Sequence, residues 1–178
     1  VRVLSSSRGY DDPSQRYPRH EQRDGMTIRR LPLSSFGKAS IKMRLVAGTI
    51  FMLQCIVLGV LTRRLDSILV STSPPMCAIA AMTIRALRRV PITYWVMDLN
   101  PDQMIELGKL HPDSLPAKLF DAINRAILRR AHDVVALDRF MRDRLLKKLD
   151  VPEKIKVLPP WPLSDHLKII DHAENPFR

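Results

Sequence analysis

Glycine is scarce in this chain, with six residues among 178, and none of them builds a GxGxxG turn, so a dinucleotide fingerprint is absent. A GxxxxGK(S/T) phosphate loop, a GxSxG nucleophile elbow and an HExxH helix are missing as well. Their absence removes the sequence grounds for a P-loop nucleotidase, an α/β-hydrolase or a zinc protease. Cysteine is limited to Cys55 and Cys77, each inside an apolar helical pattern and neither in a CxxC. The five histidines, His20, His111, His132, His166 and His172, are scattered with no pair at zinc spacing. Neither a disulfide framework nor a metal site is therefore expected, and a reducing cytoplasm is the expected compartment. Aromatic residues make up only 6% and do not alternate with basic ones, and no helix-turn-helix pattern is found, so nucleic acid is not the expected partner. A basic-then-apolar leader with a cleavage site is also lacking. Val1 opens on a strand-like run, which reads as a cut in a longer sequence.

What is present is globular. Hydrophobic residues are 46% and charged residues 26%, and the length suits one domain with a sizeable core. Lys and Arg number 29 against 18 Asp and Glu, a net charge of +11. Such an excess attracts anions: nucleic acid, phosphorylated ligands or an anionic membrane surface. The arginines are spread through many segments, which fits general anion attraction better than one nucleic-acid site.

Residues 1–5 and 25–33 read as strands, separated by a polar loop over 8–25, and a Ser/Gly loop follows at 34–40. Residues 41–64 form a long apolar helix with only Thr49 and Gln54 clearly polar between Leu45 and Leu61. A membrane span needs roughly 20 apolar residues. At this marginal length the expectation is a helix packed on a sheet or lying at a membrane surface, with a spanning anchor as the alternative. Three strand–helix units follow. The apolar run 66–75 ends in VSTSPP and leads into a helix at 76–89. The run 90–102 ends in VMDLNPD and leads into an amphipathic helix at 114–131. The strand 132–138 leads into a helix at 139–149, with Asp138 as its N-cap. A last strand covers 153–161. Continuous apolar strands alternating with helices predict an α/β, Rossmann-like, mainly parallel sheet with helices on both faces, its central strands at 67–73, 92–98 and 133–137.

In such a sheet the loops after the strand carboxyl ends gather on one edge, where ligands bind. Thr72 and Ser73 stand there before Pro74-Pro75 and a helix start, where hydroxyls and backbone N–H groups suit phosphate or sugar oxygens. A proline-stiffened turn is the alternative. Asp98 ends a strand at the same edge, as a base or an acceptor of sugar hydroxyls; a cap for the turn at Asn100-Pro101 is the alternative. Asp102 sits in the first turn of the short helix after Pro101. Trp95 is a core candidate, and Trp161 a hinge anchor.

These motifs, in this order, resemble the N-terminal domain of family 4 (GT-B) glycosyltransferases, in particular their bacterial exopolysaccharide and O-antigen branch. The carriers are VSTSPP at 70–75, VMDLNPD at 96–102, DVVAL at 133–137, Met141 to Leu145, KIKVLPPW at 154–161 and ENPFR at 174–178. The resemblance implies one half of a GT-B fold with its first strand–helix unit missing. Residues 1–161 would be a partial acceptor-side domain, and 162–178 a linker toward a C-terminal, donor-binding domain. It implies transfer of a sugar from a nucleotide-sugar donor to a saccharide or lipid-linked acceptor, with Asp98 as catalytic candidate and Thr72, Ser73 and Asp102 as acceptor-binding candidates. No cofactor or metal is implied for this chain. The family's paired donor-site glutamates, seven residues apart, have no counterpart among Glu21, Glu106, Glu153 and Glu174. The chain by itself is thus expected to be inactive. The readings set against this one are a basic binding module, a membrane-anchored protein without catalysis and another α/β enzyme using the same sheet edge.

Overall fold

The computed structural model describes residues 1–9, 12, 14–32, 41–74 and 76–160, with the side chains of 41, 42, 44 and 45 excepted. Residues 34–40, Pro75, Trp161 and the linker expected at 162–178 lie outside the described residues.

The β-branched runs align as a four-stranded sheet of β4 (Ile68–Ser71), β5 (Ile92–Val96), β6 (Asp133–Ala136) and β7 (Ile155–Val157), in the order β4-β5-β6-β7 and parallel throughout. The register places Val70, Tyr94, Val134 and Ile155 in one row across it. That row and its neighbours Ile92, Val96 and Ala136 bury against Ala78 and Ala81 of α2 (Cys77–Arg88), Ile127 and Leu128 of α4 (Leu115–Arg130) and Leu145 of α5 (Arg139–Lys148). Fully burying each large aliphatic side chain stabilises by about 1.5–3 kcal/mol, so this cluster dominates the fold. Ser114 caps α4 by accepting from the Ala117 N–H, and Asp138 caps α5 by accepting from the Met141 N–H at 2.7 Å, as its place in the sequence predicts. The result is an all-parallel sheet flanked by helices, the Rossmann-like α/β class expected.

The N-terminal region differs from expectation. Residues 8–25, read as a loop, contain a strand, β2 (His20–Arg23), paired antiparallel with β3 (Met26–Leu31). The turn between them is Asp24-Gly25, both at positive φ (50° and 74°), the backbone that a two-residue hairpin needs. β3 also pairs parallel with β1 (Arg2–Ser6), so these strands form a separate three-stranded sheet, β1-β3-β2. In consequence β4, expected in mid-sheet, is an edge strand of the four-stranded sheet as described.

The long apolar helix α1 (Ile41–Leu61) packs between the three-stranded sheet and α2. Its buried face, Ala47, Phe51 and Cys55, meets Leu31 of β3 and Ala80 of α2. The two helices run side by side in the same direction. Thr49 Oγ1 lies 3.8 Å from the Met76 sulfur at the start of α2, and Arg88 Nη1 donates to the Val60 carbonyl at the other end, 2.5 Å away. Between these points Gly59 lets the helices close: a Cβ there would stand 2.5 Å from Ile84 Cδ1. Gln54, the other polar side chain between Leu45 and Leu61, donates to the Pro32 carbonyl at 2.9 Å. Packing against the domain is thus the observed state of α1. Among the described residues no helix is long and apolar enough to cross a membrane. Both cysteines are free, and burial raises Cys55 to about 12 and Cys77 to about 11, which keeps both thiols protonated and unreactive.

Candidate functional site at the strand carboxyl ends

At the carboxyl ends of β5 and β6 the surface opens into a cleft of about 290 Å³. Asp98 lines it, two residues past β5, together with Met97, Gln103 and Glu106 from the segment leading through α3 (Asp102–Glu106), and with Asp138, Phe140 and Arg144 from the start of α5. The edge that the parallel topology assigns to ligands is where this cleft lies.

Asp98 is exposed, and no hydrogen bond or ion pair to its carboxylate is found among the described residues. The turn it was alternatively expected to cap closes without it: the Gln103 N–H bonds to the Leu99 carbonyl at 2.9 Å. An exposed carboxylate keeps its hydration, so the reason for singling out Asp98 is its place at the cleft, not a cost of burial. Thr72 is what positions it. The Thr72 hydroxyl oxygen accepts from the backbone N–H groups of Met97 (3.1 Å) and Asp98 (3.0 Å), tying the end of β4 to the end of β5. Thr72 therefore spends its lone pairs on protein. Ser73 is exposed beside it, its carbonyl accepting from the Ser71 hydroxyl at 3.0 Å, and α2 starts without a side-chain cap.

Asp102 is brought elsewhere. Its carboxylate faces the second cleft, lined by Pro101, Asp121 and Lys148 among others. Lys148, only 9% exposed, puts its Nζ 2.7 Å from Asp102 Oδ2 and 2.6 Å from Asp121 Oδ1. Asp102 Oδ2 accepts no well-formed hydrogen bond among the described residues, but at this separation the charge attraction of Lys148 acts on it all the same. Arg125 completes the network through Asp121 at 2.6 Å and the Lys148 carbonyl. The Asp102 carboxylate thus joins α3, α4 and α5. Trp95, expected in the core, is half-buried on the opposite side of β5 from Tyr94.

Sequence reasoning passed over Glu106, Arg144 and Phe140. Glu106 and Arg144 form an ion pair at 2.6 Å across the cleft, and nothing in a sequence links residues so far apart. Phe140 is 65% exposed, with the Arg139 guanidinium 4.8 Å from its ring centre. An exposed aromatic just after a strand end was the signal available. The cleft therefore holds three carboxylates against one arginine, with apolar Met97 and Phe140. Such a lining suits a hydroxyl-rich ligand with apolar ring faces and discourages free phosphate. Among the described residues no group of His, Cys, Asp and Glu is placed to hold a metal ion.

An open parallel sheet with a carboxylate-lined cleft at its strand ends defines a Rossmann-like ligand-binding domain. Residues 1–161 match the sequence model of the family described as glycosyl transferase 4-like domain, and the chain belongs to that family. Membership carries glycosyltransferase chemistry in general, and with it sugar-containing substrates. A search among curated proteins gave no match.

Proposed function

We propose that this chain is the acceptor side of a glycosyltransferase that moves a sugar from a nucleotide-sugar donor to a saccharide or lipid-linked acceptor, in bacterial cell-surface polysaccharide synthesis of the exopolysaccharide or O-antigen type. The reading is supported above all by Asp98, a carboxylate just past the end of β5, without a partner among the described residues, in the cleft of a family 4-like domain. In this reading Asp98 receives hydrogen bonds from an acceptor hydroxyl and takes its proton as that oxygen attacks the anomeric carbon of the donor, while the nucleotide diphosphate leaves. Thr72 positions Asp98, and Ser73 offers a hydroxyl at the rim. Asp102 acts through the Lys148 network, not by touching the acceptor. The donor is held by a second domain, to which residues 162–178 lead, and the reaction takes place at the cytoplasmic face of the membrane.

The test is sugar incorporation from radiolabelled nucleotide sugars into isolated bacterial membranes by a product that joins this segment to a donor-binding domain. Asp98→Asn is expected to lower incorporation about a hundredfold or more while shifting stability by no more than about 0.5 kcal/mol. A variant that melts early yet transfers sugar normally would show Asp98 to be structural.

A further inference from the structure

Phe140 is out of place for the fold. α5 buries Leu145 and packs Met141, Leu146 and Leu149 against the same core, whereas Phe140 stands outside that set with 65% of its surface exposed. One helical turn on, and so on the same face of α5, is Arg144, and both line the Asp98 cleft. The Arg139 guanidinium lies 4.8 Å from the centre of the Phe140 ring and takes one face of it. The other face is left to the cleft that the ring lines. Met97, 42% exposed, adds a second apolar surface there. Neither the packing of α5 nor the proton transfer assigned to Asp98 uses this ring.

The groups around the ring narrow down what covers it. Asp98 is a carboxylate without a partner among the described residues, the charge of Arg144 is taken up by Glu106 at 2.6 Å, and Asp138 is engaged as the cap of α5. The cleft is thus acidic although the chain as a whole carries +11. A phosphate or carboxylate on a ligand would meet at Asp98 a charge of its own sign. A hydrocarbon tail would cover the ring but cut the carboxylates off from water with no hydrogen bond in return. An uncharged pyranose satisfies both features. Its face of C–H groups lies on the aromatic ring, whose π-face is negative. The hydroxyls at its rim donate to the carboxylates, in charge-assisted bonds about twice as strong as neutral ones. A cleft of about 290 Å³ has room for such a ring rather than for a long chain.

We propose that Phe140 is the stacking platform on which the reacting end of the acceptor lies, and that this end is an uncharged pyranose ring, with uronic acids and sugar phosphates turned away by Asp98. Phe140 sets specificity and takes no part in the chemistry. That the ring is the acceptor rests on the sugar-transfer reading; that an uncharged sugar stacks on Phe140 is measurable without turnover.

The test is saturation-transfer NMR of the purified chain with methyl glycosides of neutral hexoses and N-acetylhexosamines, set against methyl glucuronide and hexose phosphate. Dissociation constants on the order of 1 mM are expected for uncharged glycosides, with the anionic sugars about tenfold weaker or more. Phe140→Ala should weaken the uncharged glycosides about tenfold, and Phe140→Tyr should restore them. Asp98→Asn should shrink the discrimination against the glucuronide to about threefold or less. Both side chains are exposed, so circular dichroism should show the wild-type melting transition in every variant. No binding of any uncharged glycoside, equal binding of the anionic sugars, or binding indifferent to Phe140→Ala would overturn the proposal. Glycoside binding that depends on Phe140, beside sugar transfer that survives Asp98→Asn, would sink the transfer reading alone. Transfer that depends on Asp98, with the KM for acceptor unmoved by Phe140→Ala, would sink the platform alone.

Discussion

At the scale of single residues, Asp98 and Thr72 divide the labour of the strand-end site. Asp98 has carboxylate oxygens without a partner among the described residues and a place at the cleft, and Thr72 holds the backbone that carries it through two hydrogen bonds. Thr72→Val keeps the shape and removes the acceptor. Water can reach the two N–H groups, so the expected loss of stability is about 1 kcal/mol. In the transfer assay it should raise KM for acceptor and lower kcat, with Thr72→Ser restoring both. A valine variant that melts lower but transfers normally would reduce Thr72 to a strand tie. Position was legible at both residues because a strand end can be read from where an apolar run stops. The direction of a short side chain cannot be read that way: Asp102, four residues beyond Asp98, belongs to an ion-pair network with Lys148 and Asp121.

At the scale of elements, that network is what fastens α3, α4 and α5 to one another. Lys148→Ala would leave Asp102 without its cation and Asp121 with Arg125 alone, and should cost about 2 kcal/mol, measurable by urea unfolding. Burial alone would raise the Asp121 pKa, but the hydrogen bonds from Lys148 and Arg125 outweigh it and hold the group below 3.8. A carboxyl depressed in the folded state contributes stability above its unfolded value and loses it as pH falls through its folded one. Asp121→Asn should accordingly be less stable than wild type at neutral pH, with the difference closing as pH falls through the acid range below the ordinary carboxylate value. A difference independent of pH would mean that packing, not charge, makes the contribution. The α1–α2 crossing depends on Gly59. Gly59→Val should cost roughly 1–3 kcal/mol through overpacking against the buried Ile84, seen as a lower melting temperature; an unchanged one would show that the helices separate freely. The strand β2 escaped sequence reading although its marker was present: Asp24-Gly25 is a hairpin dipeptide, but the residues before it, His20–Arg23, are all polar and alternate with no apolar ones, so the strand pattern was hidden on that side.

At the scale of the whole molecule, sugar transfer needs the donor held against the acceptor, and that proximity accounts for much of such a rate enhancement. The glutamates of this chain include no pair at the spacing that the donor site of this family implies. The 178 residues alone are therefore expected neither to hydrolyse nor to transfer from any nucleotide sugar; sugar release that disappears with Asp98→Asn would overturn this. The alternation of apolar strands and helices determined the parallel sheet and the edge at which a site would lie, because period and chain direction are properties of consecutive residues. Caps such as Asp138 and the apolar character of α1 were equally local. Only the tertiary structure decided which face of α1 is buried, that Glu106 meets Arg144, that Asp102 turns to Lys148 and that the first strands form a sheet of their own. Each of these rests on contacts between segments far apart in sequence, and their geometry exists only once the chain has packed.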